Sequence, residues 1–137
     1  MKTVTKILIT VQIFSGLMPL AACVFAAINQ KKIMEMFHIS TSTSPDLEKI
    51  IVILGAAMIS GALFSFLAAG WIWKGKPEGY VLSLWVSVML ISASIYMLVF
   101  FSIHNINDPL FFVIDLIKGF LILALTIVAK RKTSIAS

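Results

Sequence analysis

Four uninterrupted apolar runs decide what this chain of 137 residues can fold into. They are 21 to 24 residues long and cover residues 7–28, 50–73, 81–103 and 109–129. A helix needs about 20 apolar residues to cross the roughly 30 Å hydrocarbon core of a bilayer. The first three runs contain no Asp, Glu, Lys, Arg or His. The pattern predicts an all-α integral membrane protein, a four-helix bundle with antiparallel neighbours that forms one membrane domain over 1–137.

The composition narrows the possible partners. Hydrophobic residues make up 60% of the chain and charged residues only 12%, whereas soluble domains carry about 25% charged residues. A disordered chain and a disulfide-stapled secreted domain are therefore excluded. The net charge of +5 is divided among short clusters between the runs, and this distribution favours a membrane surface over a nucleic acid. We expect membrane lipids as partners.

The distribution of Lys and Arg predicts the orientation. Seven of these residues lie in the N-terminus, in the 74–80 turn and in the polar tail 130–137, against three, Lys31, Lys32 and Lys49, in or directly after the loop over 30–48. Because basic residues are retained on the cytoplasmic side, both termini are predicted to be cytoplasmic and the 30–48 loop to face outward. Aromatic residues at the same interface form a predicted belt of Trp71, Trp73, Tyr80 and Trp85.

The first run has two interpretations. Its basic start, its apolar stretch and the tetrapeptide Leu20–Cys23 resemble a bacterial lipoprotein signal, in which the cysteine becomes lipidated after cleavage. However, residues 24–28 remain apolar where a lipoprotein normally continues with a polar linker. A retained span with Cys23 as a small packing residue is therefore favoured, and a cleaved lipoprotein is the alternative.

Small residues in the second run indicate close helix packing. Ala57, Gly61, Ser65 and Ala69 recur at every fourth position, and small residues allow two helix backbones to approach in a membrane. We expect this helix to be central in the bundle or to form a dimer seam. Gly61→Leu should then disrupt packing, because the large side chain would hold the partner helix away.

Polar residues inside the runs form the predicted ligand site. Of the polar side chains in the first three runs, Gln12 has the highest free-energy cost in contact with lipid, so it should face inward. Ser83, Ser87 and Ser94 lie on one stripe of the third helix. Asp115 and Lys118, three residues apart in the fourth run, lie near mid-membrane and can neutralise each other. The pair either lines a site for a small polar ligand or a proton relay, or is a structural ion pair.

Motifs for catalysis and for cofactors are missing from the sequence. His38 and His104 lie in predicted loops without a metal-ligand spacing, and Cys23 is the single cysteine. No metalloprotease, P-loop, nucleophile-elbow or dinucleotide-binding motif is found. We therefore expect no metal, no cofactor and no enzymatic activity.

Three further features occur together between residues 47 and 129. They are the segment Leu47–Ala57 leading into a helix rich in small residues, the basic turn Lys74–Lys76 and the acidic Asp115 in the last helix. In these features the chain resembles the DoxX-like group of small four-helix bacterial membrane proteins. The resemblance implies a four-helix architecture in a bacterial inner membrane. It also implies accessory roles for membrane oxidoreductases, or assembly roles. Small multidrug resistance transporters are also similar in size, but they carry an essential Glu in the first helix, where this chain has Gln12.

Three functional hypotheses follow. The first is a non-enzymatic accessory or binding subunit that packs against a partner helix, or against a second copy, through Ala57–Ala69. The alternative is a small-molecule or ion transporter whose polar site contains Asp115, Lys118, Gln12 and the three serines. A redox or haem-bearing subunit is the third, and it has the least support in the sequence.

Overall fold

The computed structural model describes residues 3–29, 45–103 and 110–134. In these residues the chain forms four α-helices, α1 (Thr3–Ile28), α2 (Pro45–Trp73), α3 (Glu78–Ile103) and α4 (Leu110–Ser134). Each helix contains a segment that is long and apolar enough to cross a membrane. The predicted all-α fold with four long apolar helices is therefore confirmed for the described part of the chain.

The helices extend beyond the apolar runs at several ends. α2 begins at Pro45, inside the predicted loop, and α4 continues to Ser134, into the predicted tail. Proline is well tolerated in the first turn of a helix. The loop residues 30–44, which include His38, lie outside the described residues, and so does His104.

The four helices form a ring in which α1 packs on α2, α2 on α3, α3 on α4, and α4 on α1. Each helix therefore has two main neighbours among the described residues. α2, which the small residues marked as a candidate for the centre, occupies the same kind of position as the other three. The ring encloses a narrow interior in which inward-facing side chains of all four helices meet.

A tight turn joins α2 to α3 and makes them antiparallel, as the sequence predicts. Gly75 adopts a positive φ of 72°, a conformation that glycine reaches without strain. Its N–H donates to Ile72 O at 3.0 Å, and the N–H of Lys76 donates to Trp71 O at 2.9 Å. This pair of bonds is the Schellman motif, which closes the C-terminus of α2.

Burial is concentrated at one end of the bundle. We call it the turn end; α1 begins there, the 74–77 turn lies there and α4 ends there, and the opposite end is the loop end. The buried hydrophobic cluster at the turn end consists of Leu8, Ile9, Ala69, Ile72, Tyr80, Ile122 and Ala129. In contrast, every described side chain in 17–25 of α1 and in 55–61 of α2 is exposed or half-buried. The α1–α2 side of the bundle is therefore loosely packed at the loop end.

Two glycines allow close helix approach within the ring. A Cβ at Gly16 of α1 would lie 2.9 Å from the Phe66 ring and 3.1 Å from Ala62 O of α2. A Cβ at Gly119 of α4 would lie 2.8 Å from Ile91 Cγ1 and 3.2 Å from the backbone N of Ile91 on α3. The two backbone distances are tighter than nine in ten real Cβ contacts, so a side chain larger than glycine at either position requires the neighbouring helix to shift.

The close approach at Gly119 predicts the effect of a larger side chain. Gly119→Leu should lower the free energy of unfolding by about 1–3 kcal/mol, because overpacking forces α3 and α4 apart. Ala124→Leu, at an exposed position of the same helix, is the matched control and should leave stability nearly unchanged. Unfolding in mixed micelles of mild detergent and dodecyl sulfate measures both. Equal stability of the two variants would show that α3 and α4 do not approach closely.

Candidate functional site

A chain of side-chain hydrogen bonds connects three helices in the turn-end half of the bundle. Gln12 Nε2 of α1 donates to Ser83 Oγ of α3 at 2.6 Å. The hydroxyls of Ser83 and Thr126 of α4 lie 2.7 Å apart, and Thr126 Oγ1 donates to Ile122 O at 2.7 Å. All three side chains are 0% exposed. We call this set the Gln12 chain, and it confirms that Gln12 faces inward.

The Gln12 chain has a fixed direction. Thr126 has a single O–H, which it donates to the carbonyl of Ile122, so Ser83 must donate to Thr126. Ser83 then accepts from the amide of Gln12. Every hydroxyl in the chain both donates and accepts, which is the arrangement in which buried hydroxyl groups are best satisfied.

Two buried polar atoms remain without a hydrogen-bond partner among the described residues. They are Gln12 Oε1 and Ser15 Oγ, both on α1. Residues three apart in a helix lie on the same face, so the two atoms belong to one surface of α1. An unsatisfied buried polar group costs about 1–3 kcal/mol. This part of the interior therefore favours a small hydrogen-bonding group, such as a water molecule, next to α1.

Thr126 is the member of the Gln12 chain that sequence reasoning missed. A single threonine in an apolar run does not by itself indicate a contact between helices, because its hydroxyl can bond to the carbonyl four residues earlier on its own helix. The available signal was its spacing from Asp115. Eleven residues are three helical turns with about 20° of remaining rotation, so both residues occupy the same inward stripe of α4.

The serine stripe of α3 is buried as a whole but does not act as one unit. Ser83 and Ser87 are fully buried and Ser94 is 3% exposed, so the three share the inward side of α3. Ser83 belongs to the Gln12 chain, whereas Ser87 donates to Leu84 O of its own helix at 2.7 Å. Ser87 therefore satisfies itself locally and has no free donor for a ligand.

Asp115 and Lys118 form an ion pair within α4, joining Lys118 Nζ to Asp115 Oδ1. Both side chains are less than one fifth exposed. The contacts of Ser83 with Thr126 and of Ile91 with Gly119 show that α3 and α4 are antiparallel, and this register places Ser94 at the level of Asp115. The pair thus lies toward the loop end, next to the loosely packed side of the bundle.

The predicted polar site is therefore divided into two. Along α4, Asp115 and Thr126 are separated by about 16 Å, so the ion pair does not meet the Gln12 chain. Gln12 and Ser83 lie in the turn-end half, and Asp115, Lys118 and Ser94 lie toward the loop end. One ligand site containing all the predicted residues would have to extend along most of the bundle interior.

The small-residue ladder of α2 turns from the surface into the bundle. Ala57 is exposed, Gly61 is half-buried, and Ser65 and Ala69 are buried. The reason is geometric, because a spacing of four residues advances 40° beyond a full turn, and three such steps add up to about 120°. The ladder therefore packs inside this chain only at its turn end.

The described residues contain no group of three or more His, Cys, Asp or Glu that could hold a metal ion. Cys23 is a half-buried free thiol on α1. Comparison of the chain with protein-family models, with curated proteins and with solved structures finds no match. The functional argument therefore depends on the geometry of the chain itself.

The Gln12 chain predicts an unequal response to two substitutions. Ser83→Ala removes the middle of the chain, so the Gln12 amide loses its acceptor and the Thr126 hydroxyl loses its donor, and stability should fall by about 1–2 kcal/mol. Gln12→Met also removes the unsatisfied Oε1 and should change stability by less than about 0.5 kcal/mol.

Unfolding in mixed micelles measures both variants, and Ser60→Ala is the control. Ser60 donates to Ala56 O on the exposed surface of α2, so its removal should have little effect. A larger loss for Gln12→Met than for Ser83→Ala would show that Oε1 has a bound partner.

Proposed function

We propose that this chain is a multi-pass protein of a bacterial inner membrane that acts as a non-enzymatic accessory or binding subunit. In this proposal it packs against a partner helix through the loop-end half of α2, and both termini are cytoplasmic. The observation that carries the proposal is a surface of small residues on α2 that the described chain leaves exposed or half-buried: Ala56, Ala57, Ser60 and Gly61.

The glycines of this surface support the proposal most directly. A Cβ at Gly55 or at Gly61 would meet nothing within 4 Å. Glycine inside a helix is about 1 kcal/mol less favourable than alanine, and Gly16 and Gly119 offset that cost through close helix contacts within the ring. Among the described residues no such contact offsets it at Gly61, and a helix from outside this chain would supply one.

The uneven burial supports the same conclusion. The turn-end half holds the buried cluster, while the described side chains in 17–25 and 55–61 are exposed or half-buried. In hydrocarbon, apolar burial does not drive helices together, and close packing of small residues does. A partner helix in contact with α2 would complete the packing at the loop end.

Charge and resemblance support the placement in the membrane. Exposed Lys6, Lys74, Lys76, Lys130 and Arg131 all lie at the turn end, which is the distribution expected for a cytoplasmic face. The resemblance to the DoxX-like group, whose members have accessory roles for membrane oxidoreductases or assembly roles, leads to the same class of function.

Gly61→Leu separates partner binding from folding. Because a Cβ at Gly61 meets nothing within 4 Å, the variant should keep its unfolding free energy within about 0.5 kcal/mol. It should lose the partner, which is measured by co-purification in mild detergent with mass spectrometry, and by sedimentation for a second copy of the chain. Ala93→Leu, at an exposed position of α3, is the matched control. Unchanged partner binding by Gly61→Leu would contradict the proposal.

The ion pair of α4 favours a second candidate, a small-molecule or ion transporter. Asp115 and Lys118 are partly exposed and lie beside the loosely packed loop end, where a polar solute would find a charged group of either sign. A lone charge at a helix centre costs about 2.5–3.5 kcal/mol on insertion scales. An ion pair with a purely structural role would therefore also need both residues, because loss of either one leaves a lone charge.

Single and double substitutions distinguish the two roles of the pair. Asp115→Asn and Lys118→Met should each destabilise the fold by up to about 3 kcal/mol, because each leaves one charge unpaired. The double variant should recover most of that loss. A double variant that folds and keeps full biological function excludes the pair as a transport site. In a Cys23→Ala background, labelling of Lys118→Cys by an impermeant maleimide tests access of water.

A further inference from the structure

An apolar groove on the outer surface of the bundle lies between α2 and α3. Its volume is about 200 Å³, and it is lined by Phe64 of α2 and by Leu82, Trp85, Val86 and Met89 of α3. Val86 is buried and forms the floor, while Trp85 is 63% exposed and Phe64 and Met89 are about 40% exposed. The groove is therefore open along one side and contains no polar lining residue.

The groove begins directly beneath the turn that joins the two helices. Leu82, Trp85 and Met89 follow the first residue of α3, Glu78, by four, seven and eleven residues, which corresponds to about 6–16 Å along the helix axis. If the turn lies at the membrane interface, as proposed above, this depth is where the first half of a lipid acyl chain runs.

The turn above the groove carries two exposed lysines. Lys74 and Lys76 flank Gly75. The backbone of both lysines is held in place, because the N–H of Lys74 donates to Gly70 O and the N–H of Lys76 donates to Trp71 O. Glu78 is the acidic residue of the turn and is also exposed, so the turn has a net charge of +1. Lys130 and Arg131 at the end of α4 and Lys6 on α1 add positive charge at the same end.

We propose that the groove and the turn together bind one anionic phospholipid. One acyl chain lies in the groove between Phe64 and Trp85, and the headgroup phosphate lies at Lys74 and Lys76. Charge complementarity decides the occupant, because two lysines above an apolar slot match a phosphodiester with net negative charge. A zwitterionic lipid also fills the groove, but its own cation offsets the attraction.

The site goes beyond partner packing and rests only on the proposed membrane insertion. The expected consequence is selectivity for the headgroup. Each lysine near the headgroups adds favourable electrostatic free energy to the binding of an anionic lipid. Two lysines should therefore favour the anionic lipid about 5–30-fold over phosphatidylcholine. An unselective groove would show no preference at all.

Trp85 provides the probe for the experiment. The chain has three tryptophans, and Trp71→Phe with Trp73→Phe leaves Trp85 as the only one. This protein is reconstituted in vesicles of phosphatidylglycerol and phosphatidylcholine, with brominated acyl chains on one lipid at a time. We expect brominated phosphatidylglycerol to quench Trp85 at a 5–30-fold lower mole fraction than brominated phosphatidylcholine does. If the double variant does not fold, Trp85→Phe in the native chain should abolish the headgroup-selective part of the quenching.

Charge variants separate a site from general attraction to the surface. Lys74→Gln with Lys76→Gln should reduce the preference to about one, whereas Lys6→Gln, at an exposed lysine of the same end on α1, should leave it unchanged. An equal effect of both variants, or equal quenching by both lipids, overturns the phospholipid site. Absence of quenching by either lipid would instead contradict membrane insertion itself, so the two failures are distinguishable.

Discussion

The hydrogen-bond chain from Gln12 through Ser83 and Thr126 to the carbonyl of Ile122 holds the interior of this bundle together. It connects α1, α3 and α4 through three side chains that are fully buried. The bonds also set the levels at which the three helices pack. In a bilayer such polar contacts and close packing replace the hydrophobic effect, which does not act between helices surrounded by lipid.

The two halves of the bundle differ in how far the helices of this chain bury one another's side chains. At the turn end the Gln12 chain, the buried cluster and the Schellman turn determine the packing within one chain. At the loop end small residues of α2 face outward, and glycines there have no neighbour that would require them. The proposed partner contact and the proposed lipid site use different features of this asymmetry. The partner would cover Ala57 and Gly61, and the lipid would lie beneath Lys74 and Lys76.

Much of the candidate site was predictable at the level of single residues. The inward direction of Gln12, the shared stripe of Ser83, Ser87 and Ser94, and the pairing of Asp115 with Lys118 follow from helical periodicity and from the high cost of polar groups in hydrocarbon. Thr126 was not predictable from its own surroundings, because its role depends on Ser83 of another helix. The distance between the ion pair and Gln12 was also not predictable from the sequence, since it depends on the register between α3 and α4.

The sequence by itself determined four long apolar helices, their antiparallel α2–α3 connection and the positive charge at the turn end. Length, apolar continuity and the positions of Gly and Pro are local properties, so one chain without an alignment is enough to show them. Only the tertiary structure decided which glycines contact another helix, since Gly119 and Gly61 look alike in sequence but differ completely in what surrounds them. It also decided where the ladder of α2 leaves the bundle. Both depend on the crossing and register of helices far apart in the chain, which local periodicity does not specify.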